Sequence, residues 1–177
     1  MSEYRGFDDR GWICDRCGET IRKAGDGWVQ WRKREAELRK AGQQEKPRGP
    51  MGQDLELVHH RLASPLPRQG GKYGGKYDGC YFNRADPELA VFDTHLVSFL
   101  GPDGLMRLLA MIAEEEVPIS EGFEMLKRLH VPGYEHTRLH FEEAIRDGVF
   151  ELNTDPGYYW QADIRAVDQW LKKKKHF

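Results

Sequence analysis

The chain has 177 residues, 39% hydrophobic and 32% charged, with a formal net charge of −2. The apolar share lies below the roughly 45–50% usual for globular chains counted with glycine, no apolar run reaches the roughly 18 residues of a membrane-spanning helix, and near-neutrality excludes nucleic-acid binding by bulk basicity. Three cysteines and an opening segment MSEYRGFDDRGW without an apolar stretch argue against a disulfide scaffold and a secretory leader, so a cytoplasmic protein without membrane contacts is expected.

Residues 7–31 read as a compact knuckle followed by a strand. Trp12-Ile13 leads into Cys14-Asp15-Arg16-Cys17-Gly18, and Gly25-Asp26-Gly27 turns the chain into Trp28-Val29-Gln30-Trp31, an aromatic and β-branched run that favours a strand. Residues 32–53 then lose almost every apolar side chain. Arg32–Lys40 have helix-forming composition, but Pro47, Gly49, Pro50 and Gly52 break any such helix, so 32–53 reads as a polar insertion. In 54–60, Leu55, Leu57 and His59 fall on one face of a strand, and Glu56, Val58 and His60 on the other. The repeat Gly70-Gly71-Lys72-Tyr73, Gly74-Gly75-Lys76-Tyr77 reads as a loop, closed by Cys80-Tyr81-Phe82.

Beyond residue 84 the charge reverses. Residues 1–84 hold 17 Lys and Arg against 12 Asp and Glu, giving +5; residues 85–177 hold 10 against 17, giving −7. Two modules with a boundary at 84/85 are therefore expected. Gly101-Pro102-Asp103-Gly104 turns into a helix with Asp103 as its cap and Leu105, Leu108, Leu109 and Ile112 facing inward. Pro118 ends it. Ser120 caps a second helix with Phe123, Leu126 and Leu129 inward. A third is expected from Tyr134 to Asp147, with Phe141, Ala144 and Ile145 on one face and Gly148 at its C-terminal end. Segments 149–152 and 158–161 read as a hairpin, and a last helix starts at Asp163. The expected class is α+β, a small β module at 1–84 followed by a mainly helical domain at 85–177.

The strongest chemical signal is Cys14-x-x-Cys17-Gly18. A tight turn aims both thiolates at one point, and a closed structural zinc site needs two further ligands. Cys80 with His59, or His60 as the alternative histidine, completes a Cys₃His set and uses every cysteine. Strand parity favours His59. A redox CxxC belongs in a βαβ pattern, which residues 1–60 lack. A small module with few core residues needs a staple of this kind.

The run Trp12 to Glu19, with Gly27-Trp28-Val29 and Leu57-Val58-His59-His60, resembles the zinc-ribbon modules of uncharacterised bacterial and phage proteins, a likeness that covers residues 11–82 and implies structural zinc. Val58-His59-His60 with Asn83 resembles, more weakly, the core of HNH nucleases. That likeness implies His60 as a general base oriented by Asn83, with His95 on a metal. Three helices followed by a hairpin are similar to a winged helix-turn-helix domain. Its reader helix, 134–147, would carry Arg138 and Arg146 against four acids, and an acidic reader is repelled by phosphate. The domain is therefore expected to bind protein.

Nucleic acid remains an alternative through Arg61, Arg68, Lys72, Tyr73, Lys76 and Tyr77, an acid-free basic stretch with interleaved tyrosines; a solvated loop is the plainer reading. His136 and His140 read as surface histidines, and Tyr158-Tyr159-Trp160 as core or partner contacts. The expected function is a non-enzymatic zinc-binding protein that serves protein interaction or regulation.

Overall fold

The computed structural model describes residues 10–34, 52–68, 76–83, 89–151, 155 and 157–174. Its class is α+β. The strands are β1 (Trp12–Ile13), β2 (Thr20–Ile21), β3 (Gly27–Arg34), β4 (Gly52–His59), β5 (Tyr77–Asp78), β6 (Tyr81–Phe82) and β7 (Leu89–His95). The helices are α1 (Gly101–Ala113), α2 (Ile119–His130), α3 (Tyr134–Thr137), α4 (Phe141–Arg146) and α5 (Gln161–Lys174). None is long and apolar enough to cross a membrane. The chain forms two compact units, residues 9–130 and a second built on 131–177.

An antiparallel three-stranded sheet, ordered β4-β3-β7, is the frame of the 9–130 unit. Trp28 to Arg34 pair with His95 to Leu89 on one side, while Gly27 to Lys33 pair with His59 to Gly52 on the other. This places Arg32–Arg34 in the central strand and replaces the helix expected there. Hydrogen bonding on both sides outweighs local helix propensity, and the strand's charges find partners: Arg32 donates to Asp54, and Lys33 Nζ to Glu116 Oε1 at 2.6 Å. The rest of the expected insertion, 35–51, lies outside the described residues.

The compact unit reaches His130, where composition and charge placed a boundary at 84/85. The cause is β7, which completes the sheet; it is half-buried almost along its whole length and shows no core pattern in sequence. Register shifts between Gln30 and Arg32, so that Asp54 and Leu55 stand opposite Trp31. Asp54 takes φ 59° at this bulge, which suits the left-handed tolerance of aspartate.

The outer edge of β4 does not face water bare. Asp15 donates its backbone N–H to Leu57 O and accepts the Leu57 N–H on Oδ2, while the Leu55 N–H goes to Glu121 Oε2 of α2. Such cover blunts an edge that would otherwise template further pairing.

Helix α1 begins two residues before its expected cap: Gly101 and Pro102 open it, and Pro suits the first turn, where its missing N–H is not needed. Its buried face is Gly104, Leu108 and Met111, and Leu109 is exposed. In α2, Met125 and Leu129 are buried and Phe123 is exposed. Gly104 lies so close to the 3₁₀ turn Leu96–Phe99 that a Cβ there would sit 2.0 Å from the Phe99 carbonyl carbon. Backbone cannot yield as a side chain can. Gly104→Ala is expected to cost about 2 kcal/mol or more, clash outweighing the gain in helix propensity. An unchanged thermal midpoint would refute that contact.

In the 131–177 unit, Tyr134, Phe141, Ala144, Ile164 and Val167 form the core, with Phe150, Tyr159 and Trp170 packed on it. The single helix expected at 134–147 is interrupted at 138–140. Thr137 Oγ1 donates back to the carbonyl of Gly133 or Tyr134, and His140 leaves helical geometry. Such back-bonding bends helices, and here it turns Phe141 onto Tyr159, ring centroids 3.6 Å apart. Gly148 takes φ 70° just past α4, as expected. Among the described residues no strand follows His95, so the hairpin expected at 149–161 is absent there. Phe150 and Tyr159 instead meet edge-to-face with each other and pack on Phe141. Helix α5 starts at Gln161, with Asp163 Oδ2 accepting the Trp160 N–H.

Candidate metal centre

Cys14, Cys17, His59 and Cys80 come together in the 9–130 unit, their ligand atoms all within 4.8 Å of one another. Three separate local structures deliver these four ligands. The knuckle closes through Gly18 N–H to Cys14 O at 2.9 Å and Cys14 N–H to Glu19 O at 3.0 Å. Gly18 makes the turn at φ 76°, a conformation costly for any residue with a Cβ. His59 is the last residue of β4, on the Leu55–Leu57 face. Cys80 stands in the tight turn of the β5–β6 hairpin after Gly79 at φ 72°, the glycine that primed two-residue turns favour. Ser64 Oγ accepts the Cys80 N–H at 3.1 Å and fixes that turn.

His59 turns Nδ1 toward the sulfurs, 3.4 Å from Cys17 Sγ and 4.0 Å from Cys80 Sγ. A tetrahedron with metal–sulfur bonds of about 2.3 Å and metal–nitrogen bonds of about 2.0 Å has S···N edges of about 3.6 Å. The donor set thus fits one small ion. Cys14, Cys80 and His59 are buried and Cys17 half-buried, and four protein ligands leave no open position for substrate.

The electrostatics favour a cation. A hydrogen bond from Cys80 pulls the Cys14 thiol down to about 4, against desolvation and with help from the backbone N–H groups of Cys17, His59 and Arg16. The same bond, with burial, pushes Cys80 up, and burial pushes Cys17 up. One thiolate is stabilised while crowding holds protons on its neighbours; a bound divalent ion removes that conflict, since a coordinating thiol is deprotonated outright.

Sequence reading missed the support around the cage. Arg128 of α2, 3% exposed, donates to Asp15 Oδ2 at 2.6 Å and to Ile13 O at 2.8 Å. This locks the knuckle residue that already grips Leu57. Asp15 inside the CxxC was the available signal; nothing local marked Arg128, 113 positions away.

His60 does not reach the cage. It packs edge-on against Trp28, centroids 4.5 Å apart, and stacks with His95 at 5.7 Å. Asn83 is buried, its backbone N–H on Lys76 O. The basic candidates point to internal acids. Arg61 and Arg68 approach Asp78 at 3.7 and 3.6 Å, Lys76 bridges Asp54 and Glu56 at 2.8 and 3.7 Å, and the Tyr77 hydroxyl donates to Glu56 at 2.7 Å. Burial and that bond raise Tyr77 to about 12, and burial raises Glu56. Gln30, fully buried, ties this tier together by donating to Glu56 and accepting the Phe82 N–H. Lys72 and Tyr73 lie outside the described residues. Of 158–160, Tyr159 joins the core while Tyr158 and Trp160 are exposed.

Fold and site together define a small α+β protein whose three cysteines and one histidine lie close enough to hold a metal ion. No family model, curated protein or solved structure matches the chain.

Proposed function

We propose that Cys14, Cys17, His59 and Cys80 hold a structural zinc ion and that the protein is non-enzymatic, serving protein interaction or regulation. The closed cage carries the reading: thiolate-rich tetrahedral sets suit zinc, and a filled coordination sphere staples rather than catalyses. Zinc would tie the knuckle, the end of β4 and the β5–β6 turn into one body. A protein partner is supported by apolar side chains left outside: Met106 (64%), Ile119 (57%) and Phe123 (37% exposed) on α1 and α2.

The nucleic-acid alternative draws on Arg61, Arg68, Lys76 and Tyr77, but their internal acidic partners weaken it, because phosphate binding rests on charge still open to neutralise. The nuclease alternative needs His60 as a base.

Elemental analysis of the purified chain, with plasmid cleavage and DNA retardation assays, tests these together. One zinc per chain that survives dialysis, no cutting with Mg²⁺ or Mn²⁺ and no retardation are expected. Absence of zinc overturns the cage. Metal-dependent cutting abolished in His60→Ala overturns the non-enzymatic reading, and salt-sensitive DNA retardation lost in Arg61→Glu/Arg68→Glu establishes the nucleic-acid alternative.

A further inference from the structure

We propose that His60 and His95, backed by Trp28, form a second site that binds an oxyanion, a phosphoryl or carboxylate group, independently of the cysteine cage. The two imidazoles lie nearly parallel, 17° apart in plane with centroids 5.7 Å apart. Both meet the Trp28 indole edge-on, at 4.5 and 5.4 Å, and Tyr81 tilts against the same indole at 5.0 Å.

Hydrogen bonding sets the tautomer of both neutral rings. The Trp28 Nε1–H donates to His95 Nδ1 at 2.8 Å, and the Leu62 backbone N–H donates to His60 Nδ1 at 3.3 Å. Indole and backbone N–H groups only donate, so each Nδ1 must present its lone pair. The proton of each neutral ring therefore sits on Nε2. Among the described residues neither Nε2 meets a protein partner, and His95 is exposed and His60 half-exposed.

Two consequences follow from chemistry alone. A metal ligand or general base needs a free lone pair, and on Nε2 these rings carry a proton instead. Paired N–H donors suit a group with two acceptor oxygens. Each N–H···O bond spans about 2.9 Å, so donors on rings 5.7 Å apart reach two oxygens of one phosphoryl or carboxylate group. The nearby carboxylate of Asp93, on the same strand face as His95, is occupied by the Tyr81 hydroxyl.

Histidine ¹H–¹⁵N NMR of the full-length protein as purified tests the site, with titrations of inorganic phosphate, acetate and, for ionic strength, potassium chloride. Protons on Nε2 of both rings are expected, with saturable shifts at His60 and His95 that chloride does not reproduce. Tighter phosphate binding assigns a phosphoryl ligand, tighter acetate binding a carboxylate. His95→Ala should weaken binding about tenfold, the loss of one hydrogen bond to a charged group. Trp28→Phe should free His95 Nδ1, mix its tautomers and weaken binding, with zinc content unchanged in both variants. Protons on Nδ1, or shifts that never saturate or are matched by chloride, overturn the proposal, while the zinc measurement reports on the cage separately.

Discussion

Cys14→Ser is expected to abolish binding of the proposed zinc by the 9–130 unit and to lower its stability by about 4 kcal/mol when the wild-type protein is measured with free metal about a thousandfold above its dissociation constant. The sign is unambiguous because the unfolded chain has no preformed cage: the four ligands come from three separate segments, residues 14–17, 59 and 80, so metal binding is folding free energy. The loss exceeds a typical point mutation because one ion closes all these loops at once. Chelation of the wild-type protein should reproduce the effect and leave Cys14→Ser unaffected. Amide exchange should rise first at residues 13–20 and 77–82, which only short ladders hold. Equal melting of wild type, chelated wild type and variant would mean the cage holds no metal of structural weight.

Arg128→Met should cost about 3 kcal/mol, roughly 10 °C in thermal midpoint. The Arg128 and Asp15 side chains are 4% and 20% exposed, so removing the guanidinium leaves a largely desolvated carboxylate without the opposite charge that faces its Oδ2. Breaking a buried pair is costlier than its net worth, so the double variant Asp15→Asn/Arg128→Met should recover part of the loss. A lower zinc affinity in Arg128→Met is expected as well, since supporting residues orient ligands. Additive losses in the double variant would show that the pair does not couple.

Residues near one another in the chain announced their structure; residues that meet only after folding did not. Cys14-x-x-Cys17-Gly18 is a turn whose geometry depends on its own φ angles, and parity along β4 placed His59 with Leu55 and Leu57. Gly148 behaves as a helix terminator for the same local reason. By contrast, Arg32–Arg34 carry helix-forming composition and lie in the central strand, because β7 pairs with all three and β4 with Arg32 and Lys33. Thr137 and Phe141 fit an uninterrupted helix until the side-chain hydrogen bond and the Tyr159 ring compete for them.

The cysteine count, the charge reversal and the α+β class are properties of composition and period, and no packing was needed to read them. Packing decided which basic residues stay open, by setting Asp78 beside Arg61 and Arg68 and Glu56 beside Lys76. It also separated His59 from its neighbour His60: β4 ends at His59, whose imidazole enters the cage, and the next imidazole stacks on His95. The partner of each ring comes from distant chain, Cys80 for one and His95 for the other. Long-range contacts of that kind depend on the whole core closing, which no local pattern encodes.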